Sequence, residues 1–196
     1  LEKGEAIVED LLDKELLEGG FLVDINVNEE KELTSKYFAE LDKKELFLII
    51  LPTEQCNFRC IYCYELFQRT FLNEDNIEKI QQFVQKNIVK FSALRVSWFG
   101  GEPLLAFDII QELSQSFIES CKKYKKPYYS SITTNGYFLN KESWDKMRQC
   151  HITDIQLTID GLRPTHDKQR VLINGEKTWN TIIENLRFFV ENVRTK

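Results

Sequence analysis

The stretch "LFLIILPTEQCNFRCIYCYE", residues 46–65, joins an apolar run to three thiols. Leu46 to Leu51 is continuously apolar, the pattern of a short strand buried on both faces of a parallel sheet. Pro52 ends the run, and Cys56, Cys60 and Cys63 follow with the spacing C-x3-C-x2-C. The same grammar repeats downstream. "ALRVSWF" (93–99), "YYSSITT" (128–134) and "DIQLTID" (154–160) read as strands. Between them, Ile77, Ile80, Val84 and Ile88 share a helical stripe, as do Ile110, Leu113, Phe117 and Cys121. A further helix is expected near Lys141–Arg148, and a last one carries Trp179, Ile182, Ile183, Leu186 and Val190. Strand and helix alternating four times predict an α/β fold with right-handed crossovers and a parallel sheet. Four such units are half of an eight-fold (β/α) barrel, so the remaining strands are either unnecessary or lie outside this sequence.

Upstream, residues 5–18 read as a helix with Ile7, Leu11, Leu12 and Leu16 on one face and Gly19-Gly20 as its stop. "FLVDINV" (21–27) reads as a strand, and a charged helix runs on to about Leu41. The expected division is therefore residues 1–45, a helix–strand–helix extension acting as a cap or a partial peptide-recognition element, and residues 46–196, the core. The chain lacks a starting Met and reads as a piece of a longer protein. A net charge of −5 argues against a nucleic-acid backbone as partner. No apolar run reaches a membrane span, and the acidic N-terminus is no signal peptide, so no membrane and a cytoplasmic location are expected. Five cysteines, an odd number, suit a reducing compartment, where clustered thiols are more often metal ligands than disulfides.

The unusual chemistry sits after the strands: the cysteines after the first, "FGGEP" after the second, "NG" after the third and "DGLRPTHDKQR" after the fourth. Parallel α/β folds build their sites at the carboxyl ends of strands, so one shared site is the economical reading. A zinc site normally takes four protein ligands, and a fourth is hard to find. Cys121 lies on a helix face and Cys150-His151 at a helix end, where packing and capping explain them. Three thiolates suit a [4Fe–4S] cluster with one iron left without a protein ligand. Zinc and inert thiols remain the alternatives.

The run C-x3-C-x-Φ-C, with Tyr62 before its last cysteine, resembles the signature of the radical S-adenosylmethionine enzymes, and the resemblance extends from about Leu46 to the end. It implies a partial radical S-adenosylmethionine barrel, of which this chain is the first half. It implies that Cys56, Cys60 and Cys63 hold a [4Fe–4S] cluster whose open iron is chelated by S-adenosylmethionine, with Tyr62 near the adenine. "GGEP" (Gly100, Gly101, Glu102, Pro103) is similar to the family's second motif: two glycines permit close approach to a ligand, and Glu102 can accept from an ammonium. Asn135 matches a third-strand position. "LTIDGLRPTHDKQR" resembles the S-x-D-G…H-D-x-x-R run of peptide and protein maturases that carry a C-terminal SPASM domain, with Thr158 in place of the usual Ser. There Arg170 is expected to pair with the cofactor's carboxylate, His166 to order the loop, and Asp160 to be a cap or a site carboxylate. The resemblance implies reductive cleavage of S-adenosylmethionine to a 5′-deoxyadenosyl radical that takes hydrogen from a peptide or protein substrate, leaving a crosslink or an oxidation. A leader peptide and an electron donor such as flavodoxin or ferredoxin are the implied partners. Glycyl-radical-activating and cofactor-biosynthesis enzymes share the cysteine motif, and a metal-stabilised peptide-binding module without turnover is the reading from another class. The catalytic acid and any auxiliary clusters are expected outside this stretch.

Overall fold

The structure, a computed structural model, describes residues 15, 16, 18, 19, 27–41 and 44–193. Most of the helix expected over 5–18 and the strand expected over 21–27 lie outside the described residues. The chain divides into two compact units, Leu1–Lys43 and Lys44–Lys196. In the first, α1 (Glu29–Leu41) opens with Glu29, Glu30 and Glu32, acidic groups suited to the positive end of a helix. Asn28 caps it, its Oδ1 accepting from Lys31 N at 2.9 Å.

The second unit is built on a four-stranded parallel sheet: β1 (Leu46–Ile50), β3 (Leu94–Trp98), β4 (Tyr128–Thr134) and β5 (Ile152–Leu157), ordered β1-β3-β4-β5. The helices between them are α2 (Glu74–Asn87), α3 (Phe107–Lys123) and α4 (Lys141–Gln149). The expected partial parallel barrel is present, and the sheet stays open among the described residues. Two helix starts are fixed by asparagine. Asn73 Oδ1 accepts from Asn76 N at 2.9 Å, and Asn140 forms a capping box with Ser143.

Side chains alternate across the sheet. Leu46, Ile50, Leu94, Val96, Trp98 and Ile132 are buried with Ile77, Val84, Ile88, Ile110, Leu113, Phe117 and Met147. Trp98, wholly buried, satisfies its indole by donating to Ser130 Oγ at 2.9 Å. The other face is half open. Phe47 is 54% and Ile49 59% exposed, which corrects the expectation that the Leu46–Leu51 run is buried on both sides. Phe47 and Ile49 alternate with the buried Leu46 and Ile50, so they fall on the face opposite the helical core.

A two-stranded ribbon and a short helix were not expected. β2 (Phe58–Cys60), inside the cysteine loop, pairs antiparallel with β6 (Arg170–Leu172) in a separate two-stranded ribbon. A short helix, α5 (Arg163–Gln169), occupies what read as a loop, with Pro164 in its first turn, where a missing N–H costs nothing. The fourth strand ends at Leu157, earlier than "DIQLTID" suggests. Asp160 already turns away, its N–H donating to His166 Nδ1 at 3.3 Å. α6 (Trp179–Val193) is the last element of the described residues.

Candidate functional site

The cysteine loop leaves β1 and is stitched to the loop after β3 backbone to backbone. Gly101 N donates to Thr53 O at 3.1 Å, and Glu102 N to Gln55 O at 2.9 Å. This explains the paired glycines. Gly100 sits at φ +115°, a conformation other residues avoid, and a Cβ there would strike Thr53 O. A Cβ on Gly101 would strike the carbonyl oxygens of Glu54 and Gln55. The close approach that the glycines permit is therefore to the cysteine loop itself. Gln55 Nε2 braces the far side, donating to Phe67 O at 3.0 Å and Arg69 O at 2.9 Å. Arg59 Nη1 donates to Cys56 O at 2.9 Å, and its guanidinium lies 4.0 Å from the Phe67 ring centre.

Glu102 is wholly buried. Its carboxylate accepts from Leu104 N (3.0 Å), Thr134 Oγ1 (2.9 Å) and Asn135 N (2.8 Å). Burial pushes its pKa up, while these donors pull it down. Glu102 thus ties the end of β3 to the end of β4, and most of its acceptor capacity serves the protein. Pro103 opens the short 3-10 helix that follows. Asn135, also buried, reaches back to the cysteine loop: its Nδ2 donates to Asn57 Oδ1 at 2.8 Å and to Cys56 Sγ at 3.7 Å.

The segment after β5 comes to the same place through the ribbon. Cys60 stands opposite Arg170, Ile61 N donates to Gln169 O at 3.0 Å, and Ile173 N donates to Asn57 O at 2.9 Å. Arg170 is 7% exposed; its Nη1 donates to Tyr62 Oη at 2.7 Å, and Tyr62 Oη donates to Asp160 Oδ2 at 2.5 Å. Asp160 Oδ1 lies 3.9 Å from the same guanidinium nitrogen. Thr158 is half-buried just beyond β5. His166 is wholly buried, and its Nε2 lies 3.1 Å from Thr178 Oγ1, whose hydroxyl donates to Arg170 O at 2.6 Å. With Nδ1 accepting from Asp160 N, the ring is the neutral Nε2–H tautomer. His166 therefore orders the loop that carries Arg170. Asp167 Oδ1 accepts from Thr178 N (3.2 Å) and Trp179 N (3.0 Å), fastening the start of α6. Asn57, Arg59 and Thr178 escaped the sequence reading, and Asp167 stood in the H-D-x-x-R run with no role of its own. The Asn174-Gly175 pair, with Gly175 at φ +85°, was a legible hairpin signal for β6.

Cys56, Cys60 and Cys63 are all free. Burial, above all, raises the Cys56 thiol to about 11 and pushes Cys60 up as well, while Arg170 pulls Cys60 down. Such thiols become thiolates when a metal takes the proton's place. Among the described residues no three His, Cys, Asp or Glu converge as ligands of a single ion. A cubane takes one thiolate at each of three corners and needs no such convergence, so the donor set suits a cluster. Two buried donors, Asn57 Nδ2 and Arg170 Nε, have no hydrogen-bond partner. Both sit on residues adjoining the cysteines, and each fits an anionic acceptor. A cavity of about 390 Å³ between β1 and α2, lined by Leu48, Ile50, Leu72, Ile80 and Phe83, contains none of these residues.

The chain is similar to known proteins in sequence and in fold. The GTP 3′,8-cyclase of Campylobacter jejuni subsp. doylei is 30% identical over 137 residues, 68% of this chain and 40% of the relative. That of Aliarcobacter butzleri is 31% identical over 123 residues, 61% of this chain and 36% of the relative. The chain thus spans about two fifths of the length of such relatives. Among solved structures, anSMEcpe with bound AdoMet superposes with a TM-score of 0.64 at 24% identity, covering 75% of this chain and 41% of that one. Streptococcus suis SuiB bound to precursor peptide SuiA gives 0.51 at 21% identity, covering 92% of this chain and 43% of that one. These last two show a shared fold. A profile of the Radical SAM superfamily matches residues 50–196, so the chain belongs to that superfamily, whose cofactors are S-adenosylmethionine and a [4Fe–4S] cluster.

Proposed function

We propose that the protein is a maturase of peptides or proteins within this superfamily, acting in the cytoplasm on a substrate that carries a leader peptide, with flavodoxin or ferredoxin as electron donor. Cluster and S-adenosylmethionine supply one-electron cleavage of the sulfonium and hydrogen-atom abstraction from an unactivated carbon. The chain's own residues hold and shield that chemistry. Cys56, Cys60 and Cys63 ligate three irons. Gly100, Gly101, Glu102, Pro103, Asn135 and Tyr62 shape the cofactor's surroundings. Arg170 receives its carboxylate, the Thr158 hydroxyl offers a further hydrogen bond, and Asp160 orients Tyr62 and Arg170. Residues 1–45 cap the core or contribute to leader recognition.

The observation that carries this reading is the Asp160–Arg170 segment. His166, Asp167 and Arg170 of its H-D-x-x-R run are all engaged, and together they bring a buried guanidinium against the cysteine loop. The open face of the sheet adds to it. Strand residues alternating with the core are Phe47, Ile49, Arg95, Ser97, Tyr129, Ser131, Thr133, Asp154 and Gln156, and Arg95 is 3.0 Å from Glu45 and stacked on Tyr129. That mixed apolar and hydroxylated surface suits a peptide better than a triphosphate.

The second reading is a GTP-cyclising enzyme of cofactor biosynthesis, favoured by the 30% identity to the Campylobacter cyclase. Anaerobic reconstitution of the intact protein separates them. With reductant and S-adenosylmethionine, 5′-deoxyadenosine is expected, and mass spectrometry should show loss of hydrogen from a co-encoded peptide while GTP is left intact. GTP consumption would establish the second reading. Absence of 5′-deoxyadenosine with every reductant tried would sink both and favour a binding module.

A further inference from the structure

Asn135 is expected from its motif to be a cofactor-binding position, yet its side chain is turned toward a cysteine. Its Nδ2 donates to Cys56 Sγ at 3.7 Å, and the Phe58 N–H donates to the same sulfur at 3.3 Å. The rest of Asn135 is fixed. Its N–H is held by Glu102 at 2.8 Å, its Oδ1 accepts from Tyr137 N at 2.9 Å, and Nδ2 also donates to Asn57 Oδ1 at 2.8 Å. At 6% exposure the amide is shielded from water, so its dipole acts at close to full strength. We propose that Asn135 is a positioning residue for the cluster, and that its amide on the Cys56 sulfur holds the cluster's reduction potential above the value the three thiolates would set alone. This rests on the cluster reading given above.

The sign follows from charge. One-electron reduction adds negative charge to cluster and sulfurs, and an N–H aimed at a ligating sulfur stabilises the reduced form more than the oxidised one. Removing the donor disfavours reduction. The Glu102 carboxylate anchors Asn135 through its backbone N–H, while its own negative charge opposes added charge on Cys56, so the donor amide acts against it.

The test is an anaerobic redox titration of the intact protein, reconstituted with iron and sulfide and followed by EPR, comparing wild type with Asn135→Leu and Asn135→Ser. Serine keeps an oxygen for the Tyr137 N–H while its short hydroxyl falls short of Cys56, so it serves if the leucine variant does not fold. Both variants are expected to keep wild-type iron content and to lose about tenfold in the reduction equilibrium, about 59 mV more negative for one electron. An unchanged potential in an iron-loaded variant overturns the proposal and leaves the cluster reading standing. Loss of iron from the folded serine variant also overturns it, since Asn135 would then brace the loop only. A wild-type protein that forms no [4Fe–4S] signal removes the cluster reading itself.

Discussion

At the scale of single residues the site is a set of shared hydrogen bonds, and each can be cut separately. Cys60→Ala should abolish the iron–sulfur absorbance of the reconstituted protein while the far-ultraviolet circular dichroism is kept; retained brown colour would remove Cys60 from the ligand set. Arg170→Lys keeps the charge and loses the planar fork that bonds Tyr62. A charge-assisted hydrogen bond of about 1.5–3 kcal/mol is at stake, so binding of S-adenosylmethionine, read as the cofactor's perturbation of the EPR signal, should weaken about tenfold or more with iron content unchanged. The cysteines and Arg170 were legible because their types and spacings have few other uses. Asn57 was not, because an Asn on a polar segment is ordinary until folding shows which N–H it meets.

At the scale of elements, the loops depend on one another more than on their own sequences. Gly101→Ala would drive a methyl into two carbonyl oxygens of the cysteine loop, so a loss of about 1–3 kcal/mol is expected in denaturant unfolding, together with poorer iron retention. A stability equal to wild type would mean the two loops can part freely. His166 makes the ribbon and α5 sensitive to acid. Burial first, and then Arg170, lower its pKa, and protonation would break the bond from Asp160 N. The unfolded chain therefore binds this proton more readily than the folded one. Stability is full above the ordinary histidine value near 6.5 and declines as pH falls through it toward the lowered folded value. Melting curves from pH 7.5 to 5 should show this decline, flattened in His166→Gln. The four parallel strands and their helices could be read in advance because apolar periodicity is a local signal. The β2–β6 ribbon could not, since its pairing joins residues far apart in sequence and β2 is three residues long.

At the scale of the whole molecule, the sheet has one finished face and one open face, with free edges on β1 and β5 among the described residues. Phe47, Ile49 and Leu51, all at least 41% exposed, line the open side of β1. Unpaired edges and exposed apolar surface promote association. The 196-residue chain alone should turn over poorly and should associate as its concentration rises, measured by 5′-deoxyadenosine yield and light scattering. Steady turnover by a monodisperse preparation would show that the open face needs no further cover. The ribbon also sets a schedule for synthesis. Tyr62 and Arg170 are 108 residues apart, and translation runs at about 5–20 residues per second. A growing chain would thus display its three thiols for roughly 5–20 s before the strand that shapes their loop exists. Iron delivered in that interval meets an unformed loop, so stable loading belongs after β6 has emerged and paired with β2.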